Sequence, residues 1–114
     1  MIRVTFIGAD QDSKGFTLAG HAEYADKGQD IVCSAISALA QTTIYALVER
    51  HKLTDDYELS EGQISCFVEL TDLSDRDRQI VEILLLALYD GISQIQAAYG
   101  SEYVHIEGGY YDQV

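Results

Sequence analysis

The sequence contains no proline, only two cysteines, and only seven lysine and arginine residues against nineteen aspartate and glutamate residues. No linker, repeat or low-complexity tract interrupts it, so the 114 residues predict a single domain over 1–114. So few cysteines exclude a disulfide scaffold and favour a reducing, cytoplasmic compartment. The net charge of −12 argues against a protein that binds nucleic-acid phosphates, and it favours a cationic partner or simply high solubility.

Long hydrophobic runs and targeting segments are also missing. The longest apolar run, from Ile83 to Tyr89, is far shorter than the roughly 20 residues that span a bilayer. The first residues alternate between apolar and polar, and they lack the basic and then apolar pattern of a signal peptide. We therefore expect no membrane partner.

Hydrophobic periodicity predicts four strands and two helices. Strict alternation predicts strands at 2–7, 16–22, 64–70 and 103–107, and helical periodicity predicts helices at 31–50 and 75–99. Polar or glycine-containing stretches predict a turn at 8–15, loops at 23–29 and 54–62, and a loose tail at 108–114. The order ββαβαβ is typical of an α+β fold, with two helices packed on a small mixed or antiparallel sheet.

The helix boundaries and the second helix's apolar face carry further predictions. Asp30 is a candidate N-cap of the first helix, Ser74 with Asp77 resembles a capping box, and Gly100 is placed to end the second helix. The apolar residues of the second helix cover an arc of roughly 200°, about twice what one sheet buries. The remainder must meet the first helix or a second subunit, so we expect a homodimer; the alternative is a bulkier monomeric core.

Cys33 is the candidate nucleophile. If the first helix begins after Asp30, this cysteine lies in the first turn, where unpaired N–H groups and the helix dipole favour a negative sulfur. The helical wheel places Cys33 at the edge of the apolar stripe, with Ser37 one turn further on. The competing interpretation is that a cysteine in a helix is a small core hydrophobe.

His21 is the candidate base. It follows Gly20, whose missing side chain permits close approach by another segment, and the loop 22–30 is short enough to return it to the helix start. Gly28 would supply a hinge in that loop, and Asp30 could orient the imidazole besides capping the helix. The alternatives are an ordinary surface histidine and an ordinary cap.

The remaining candidates favour structural roles. Cys66 alternates with core residues and is expected to be inert, His51 to lie at a helix end, and His105 to lie on a strand face near Glu107. The cysteines and histidines show no metal-ligand spacing, and no phosphate loop or dinucleotide fingerprint occurs. The sequence thus predicts neither a metal nor a cofactor.

At the candidate dyad the sequence resembles the ribosomal-processing cysteine protease Prp family of bacteria. The resemblance rests on Gly20-His21-Ala22, on Gly28-x-Asp30-Ile31-Val32-Cys33, and on Ala35 and Ser37. It implies a homodimeric α+β enzyme in which His21 and Cys33 match the catalytic pair, and Ser37, Gly20 and Ala22 lie near the substrate. It also implies the reaction, removal of a short N-terminal extension from large-subunit ribosomal protein L-twenty-seven at paired phenylalanines. Such a basic precursor would be the partner; the alternative is a non-enzymatic acidic adaptor that binds a peptide or assists ribosome assembly.

Overall fold

The computed structural model describes residues 1–8, 12–20 and 27–108, and for residues 27–30 it describes the backbone. In chain order the elements are β1 (Ile2–Ile7), β2 (Ser13–Ala19), α1 (Lys27–Tyr45), a π-helical segment (Ala46–Arg50), β3 (Asp56–Ser60), β4 (Gln63–Glu69), α2 (Asp75–Tyr99) and β5 (Val104–Glu107). The α+β class is therefore confirmed.

The five strands form one mixed sheet in the order β3-β4-β2-β1-β5. Strand β1 pairs antiparallel with β2 and parallel with β5, and β4 pairs antiparallel with both β2 and β3. In this register Phe16 lies opposite both Phe6 and Cys66, so alternate apolar residues of neighbouring strands share one face. The edge strand β3 extends the sheet beyond β4, beside the site described below.

Both helices bury their apolar stripes against that face. The fully or nearly fully buried strand residues are Ile2, Val4, Phe6, Phe16, Leu18, Ile64, Cys66, Val68 and Val104. Their helical partners are Val32, Ile36, Ala40, Ile44, Leu47, Val81, Leu85, Leu88 and Ile92. By length and composition alone, residues 31–50 and α2 could each cross a membrane, yet both supply side chains to this core.

The predicted second helix is confirmed at both ends. It runs from Asp75 to Tyr99, and the Ser74 hydroxyl accepts a hydrogen bond from the Asp77 amide at 3.1 Å. Gly100 caps the other end with φ 117°, a value that side chains disfavour. Part of the wide apolar arc packs on α1 and the sheet, while Ile83 remains 64 % exposed.

The predicted loop at 54–62 is wrong, because it contains strand β3. Tyr57 and Leu59 alternate with polar residues, but the acidic composition concealed this short pattern. Strand β3 pairs with β4 through a tight turn at Glu61 and Gly62, where Gly62 has φ 82°. The element order is therefore ββαββαβ, apart from the π-helical segment.

Two further boundaries differ from prediction near the candidate site. Strand β2 begins at Ser13 instead of residue 16, since its ladder with β4 continues to the Ser13–Glu69 pair, and it ends at Ala19. Helix α1 begins at Lys27, so Gly28 is no loop hinge and Asp30 is no N-cap: both lie within the first helical turn. One glycine inside a helix costs only about 1 kcal/mol, too little to delay the helix start. Of the predicted tail 108–114, the structure describes Gly108 alone.

Candidate active site

A cavity of about 270 Å³ opens between α1, the end of β2 and the β3–β4 turn. Cys33, Ser37 and Gln41 line one wall, since residues four apart on a helix share a face. Gly20 and the turn residues 60–62 line the opposite side. The structure thus brings three predicted site residues, Cys33, Ser37 and Gly20, to one cavity.

Cys33 is a free, partly buried thiol that packs against the core and lines the wall of this cavity. It is the seventh residue of α1, and its amide therefore lies within the hydrogen-bonded part of the helix. The unpaired amides at the helix start belong to residues 27–30, of which the nearest is about 4.5 Å from Cys33 along the axis. The prediction that Cys33 occupies the first turn is therefore wrong, because the helix extends further towards the N-terminus than the Asp30 cap implied.

Gly20 is held in place by two neighbouring segments. Its amide donates a hydrogen bond to the Gly62 carbonyl at 3.1 Å, and its φ is 91°. A β-carbon at this position would lie 2.5 Å from the carbonyl oxygen of Met1, so the predicted close approach by another segment is confirmed. His21, the next residue, and Ala22 lie outside the described residues.

The other cysteine has a different environment. Cys66 is fully buried in β4, which confirms its predicted place in the core. Burial and the nearby negative charge of Asp56 raise the pKa of its thiol from 9.0 to about 11. A buried thiol with a raised pKa is a poor nucleophile at neutral pH, because the thiolate is the reactive form.

The remaining histidines stand away from the cavity. His51 caps the π-helical segment, as predicted for a helix end, and the His105 Nε2 lies 2.9 Å from the Glu107 carboxylate, as predicted for a strand face. Within residues 1–8, 12–20 and 27–108, no three histidine, cysteine or acidic side chains lie close enough together to bind a metal ion.

Sequence reasoning missed two parts of the cavity wall. Gln41 lies two helical turns after Cys33, at the i+8 position, and could have been found by continuing the stripe of Cys33 and Ser37. The turn at 60–62 could have been found only by predicting the β3–β4 hairpin. The sequence signal for that hairpin is the two-residue connection Glu61-Gly62.

A cysteine thiol on the wall of an open cavity, carried by a small α+β fold, is an arrangement that a cysteine peptidase requires. The model of the family described as cysteine protease Prp matches residues 1–105. The chain belongs to this family.

Solved structures agree with this assignment at the level of the fold. SMU.848 from Streptococcus mutans is 28 % identical, with a TM-score of 0.73, and the match covers 94 % of this chain and 92 % of that one. An essential ribosomal processing protease Prp from S. aureus, in complex with a substrate peptide, is 19 % identical with a TM-score of 0.75. That match covers 95 % of this chain and all of the other. A second structure of the S. aureus protease, with a covalently linked product peptide, has a TM-score of 0.71 at 20 % identity and covers 94 % and 98 % of the two chains. No curated protein matches the sequence.

Proposed function

We propose that this protein is a cysteine endopeptidase that removes the short N-terminal extension of large-subunit ribosomal protein L-twenty-seven. In this proposal Cys33 is the nucleophile and His21 is the base. The observation that carries it is the place of Cys33: its partly buried thiol lines the same cavity as Gly20, the residue immediately before His21. Membership of a cysteine protease family supports the same chemistry.

The proposed reaction proceeds through an acyl-enzyme. The Cys33 thiolate attacks the peptide carbonyl, and the tetrahedral intermediate collapses to a thioester as protonated His21 gives its proton to the leaving amine. Water then attacks the thioester, with His21 as base, and releases the acid product and the thiol. Ser37 lines the same cavity wall one turn after Cys33, so its hydroxyl is the candidate donor to the oxyanion.

The cavity and the charge of the chain support an apolar cleavage site in a basic protein. Ile2, Leu18 and Ile64 line the cavity and offer an apolar surface to a phenylalanine side chain. The net charge of −12 would speed the encounter with a basic ribosomal protein precursor, an effect that salt weakens. A ribosomal substrate places the enzyme in the cytoplasm.

We further propose that the protein acts as a homodimer. Ile83 is 64 % exposed on α2. Beside it, an apolar groove between the helices is lined by Leu39, Leu84 and Leu88 among others. A second subunit would cover this surface and remove it from water.

The decisive experiment incubates the protein with a peptide that carries the ribosomal-protein extension and its paired phenylalanines. Mass spectrometry should find one cut, which Cys33→Ser and His21→Ala abolish while circular dichroism shows that both variants remain folded. Ser37→Ala should lower the rate less than either, by roughly a hundred- to a thousandfold if its hydroxyl stabilises the oxyanion. Cleavage by His21→Ala at the parent rate would refute the assignment of the base.

The same assay separates the enzyme from the adaptor alternative. An adaptor predicts that the parent leaves the peptide intact, and that Cys33→Ala supports ribosome assembly as well as the parent does. The exposed edge strand β3 is the feature that an adaptor would use to bind a peptide.

A further inference from the structure

A second groove adjoins the cavity of Cys33. It has a volume of about 240 Å³ and lies between the end of α1, the π-helical segment and β3. Its apolar walls include Ile44 and Val48 from the helical side, and Tyr57 and Leu59 from β3. Tyr57 is 44 % exposed and Leu59 is 48 % exposed, so the structure leaves much apolar surface open to solvent here.

The groove and the cavity form one continuous track. Gln41 lines both of them, and β3 runs alongside: Tyr57 and Leu59 line the groove, while Ser60 lines the cavity. The two ends are well separated along the helix, because Ile44 and Val48 lie about 16 and 22 Å beyond Cys33. An extended peptide advances about 3.3 Å per residue, so this separation corresponds to about five to seven residues.

The backbone of β3 is suited to bind an extended chain along this track. It is the outermost strand at its end of the sheet. A two-residue turn makes Ser60 and Gln63 a hydrogen-bonded pair, so by alternation Tyr57 and Leu59 direct their N–H and C=O groups away from β4. The two residues that line the groove are thus the two whose backbone groups face outwards, as strand addition requires.

The charge around the groove distinguishes between two occupants, a second copy of this chain and a basic peptide. On β3, Asp56 and Glu58 flank the groove-lining Tyr57. The basic residues Arg50 and Lys52 follow Glu49 in the chain but do not line the groove. Glu49 lines the groove and Glu61 lines the cavity. A second copy that paired its own β3 here would bring these carboxylates together, whereas a lysine- or arginine-containing peptide would neutralise them.

We propose that this groove binds a flanking segment of the peptide substrate, about five to seven residues from the cleaved bond, that carries an apolar side chain beside basic residues. The inference rests on the proposed proteolytic function and adds a specificity-determining site to it. The apolar side chain inserts between Val48 and Leu59, the peptide backbone pairs with β3, and Glu49 and Glu61 attract the basic residues.

The experiment compares two peptides that share the residues around the cut. The short peptide ends about four residues from the cleaved bond on each side, and the long peptides continue to about nine residues on one side or the other. The parent should cleave one of the long peptides with a kcat/KM about tenfold or more above that of the short peptide. The variant with Tyr57→Ser and Leu59→Ser should lose this preference while it still cleaves the short peptide at the parent rate.

Matched variants identify the cause of any loss. Tyr99→Ser is the control, because Tyr99 is also 44 % exposed but lies at the end of α2, outside the groove, and it should keep the preference for the long peptide. Glu49→Gln should lower kcat/KM for the long peptide only, and substitution of that peptide's basic residues by glutamine should remove the effect of Glu49→Gln.

The outcomes separate this inference from the proposed function. Absence of cleavage of every peptide by the parent would refute the proteolytic function and, with it, this inference. Cleavage of short and long peptides at equal rates, or an unchanged preference in the variant with Tyr57→Ser and Leu59→Ser, would refute the groove alone. Conversion of a parent dimer to a monomer by the same variant would identify a second copy as the occupant and overturn the inference.

Discussion

Selective alkylation provides a direct test of the difference between the two cysteines. Iodoacetamide reacts with the thiolate, so the labelling rate depends on the ionised fraction and on access. Burial and the Asp56 carboxylate raise the pKa of Cys66 from 9.0 to about 11. Cys33 is only partly buried and lines the wall of an open cavity. We therefore expect iodoacetamide to modify Cys33 before Cys66.

The size of the difference follows from the structure. A rise of two pKa units lowers the thiolate fraction of Cys66 near neutral pH about 100-fold below that of an ordinary cysteine. Because the Cys66 side chain is completely buried, the reagent also has to wait for a local opening of the sheet, which slows the reaction further. Cys66 should thus react more than about 100-fold more slowly than a free cysteine peptide in the same tube.

The assay is a time course of labelling at about pH 7, followed by peptide mapping that reports each cysteine separately. Cys33→Ser should leave the folded protein almost unlabelled, and Cys66→Ala should label as fast as the parent. In a denaturant that unfolds the chain, both cysteines should react at similar rates. Equal, slow labelling of both cysteines in the folded protein would refute the argument, since it would mean that Cys33 is as inaccessible as Cys66.

Four further predictions concern stability and assembly. Gly20→Ala should lower the free energy of unfolding by about 1–3 kcal/mol in urea titrations, since φ 91° and the nearby Met1 carbonyl both oppose a β-carbon; an unchanged midpoint would contradict this. Ser74→Ala should cost about 1 kcal/mol, measured in the same way, by removing the cap of α2, and Ser74→Gly less. Between pH 9.0 and about 11 the Cys66 thiol stays protonated in the folded chain but ionises in the unfolded chain, so the free energy of unfolding should fall by about 2–3 kcal/mol as the pH rises through this range. Cys66→Ala should lose correspondingly less stability over the same range. Ile83→Glu should convert a dimer into a monomer in light scattering, whereas a parent already of monomer mass would contradict the dimer.

The long apolar patterns of the sequence predicted the fold well. The helix at 75–99 carries its own start and stop signals, Ser74 and Gly100, so its bounds could be predicted correctly. Strand β1 and the core position of Cys66 follow from strict alternation, which depends on only one buried face. In these segments local signals and tertiary packing agree.

The exposed and less distinctive segments could not be predicted in the same way. Strand β3 is exposed throughout and acidic, so hydrophobic alternation is weak there, and its pairing with β4 decides its conformation. Helix α1 starts before Asp30. Aspartate is a good N-cap, but it is also favourable within the first turn, because its negative charge is attracted by the positive end of the helix dipole. A residue type that is favourable both at the N-cap and in the first turn cannot define where the helix begins.

The earlier start of α1 changes which group must activate the candidate nucleophile. The sequence suggested that helix-start amides and an imidazole converge on Cys33, but the structure places that cysteine in the second turn, beyond the unpaired amides. The attraction that a helix N-terminus exerts on an anion falls off within the first turn, so it can supply only a small part of the activation. The main part then falls to a cation or base beside the cavity, which is the role proposed for His21. The structural correction therefore makes the proposed chemistry depend more strongly on the imidazole than the sequence implied.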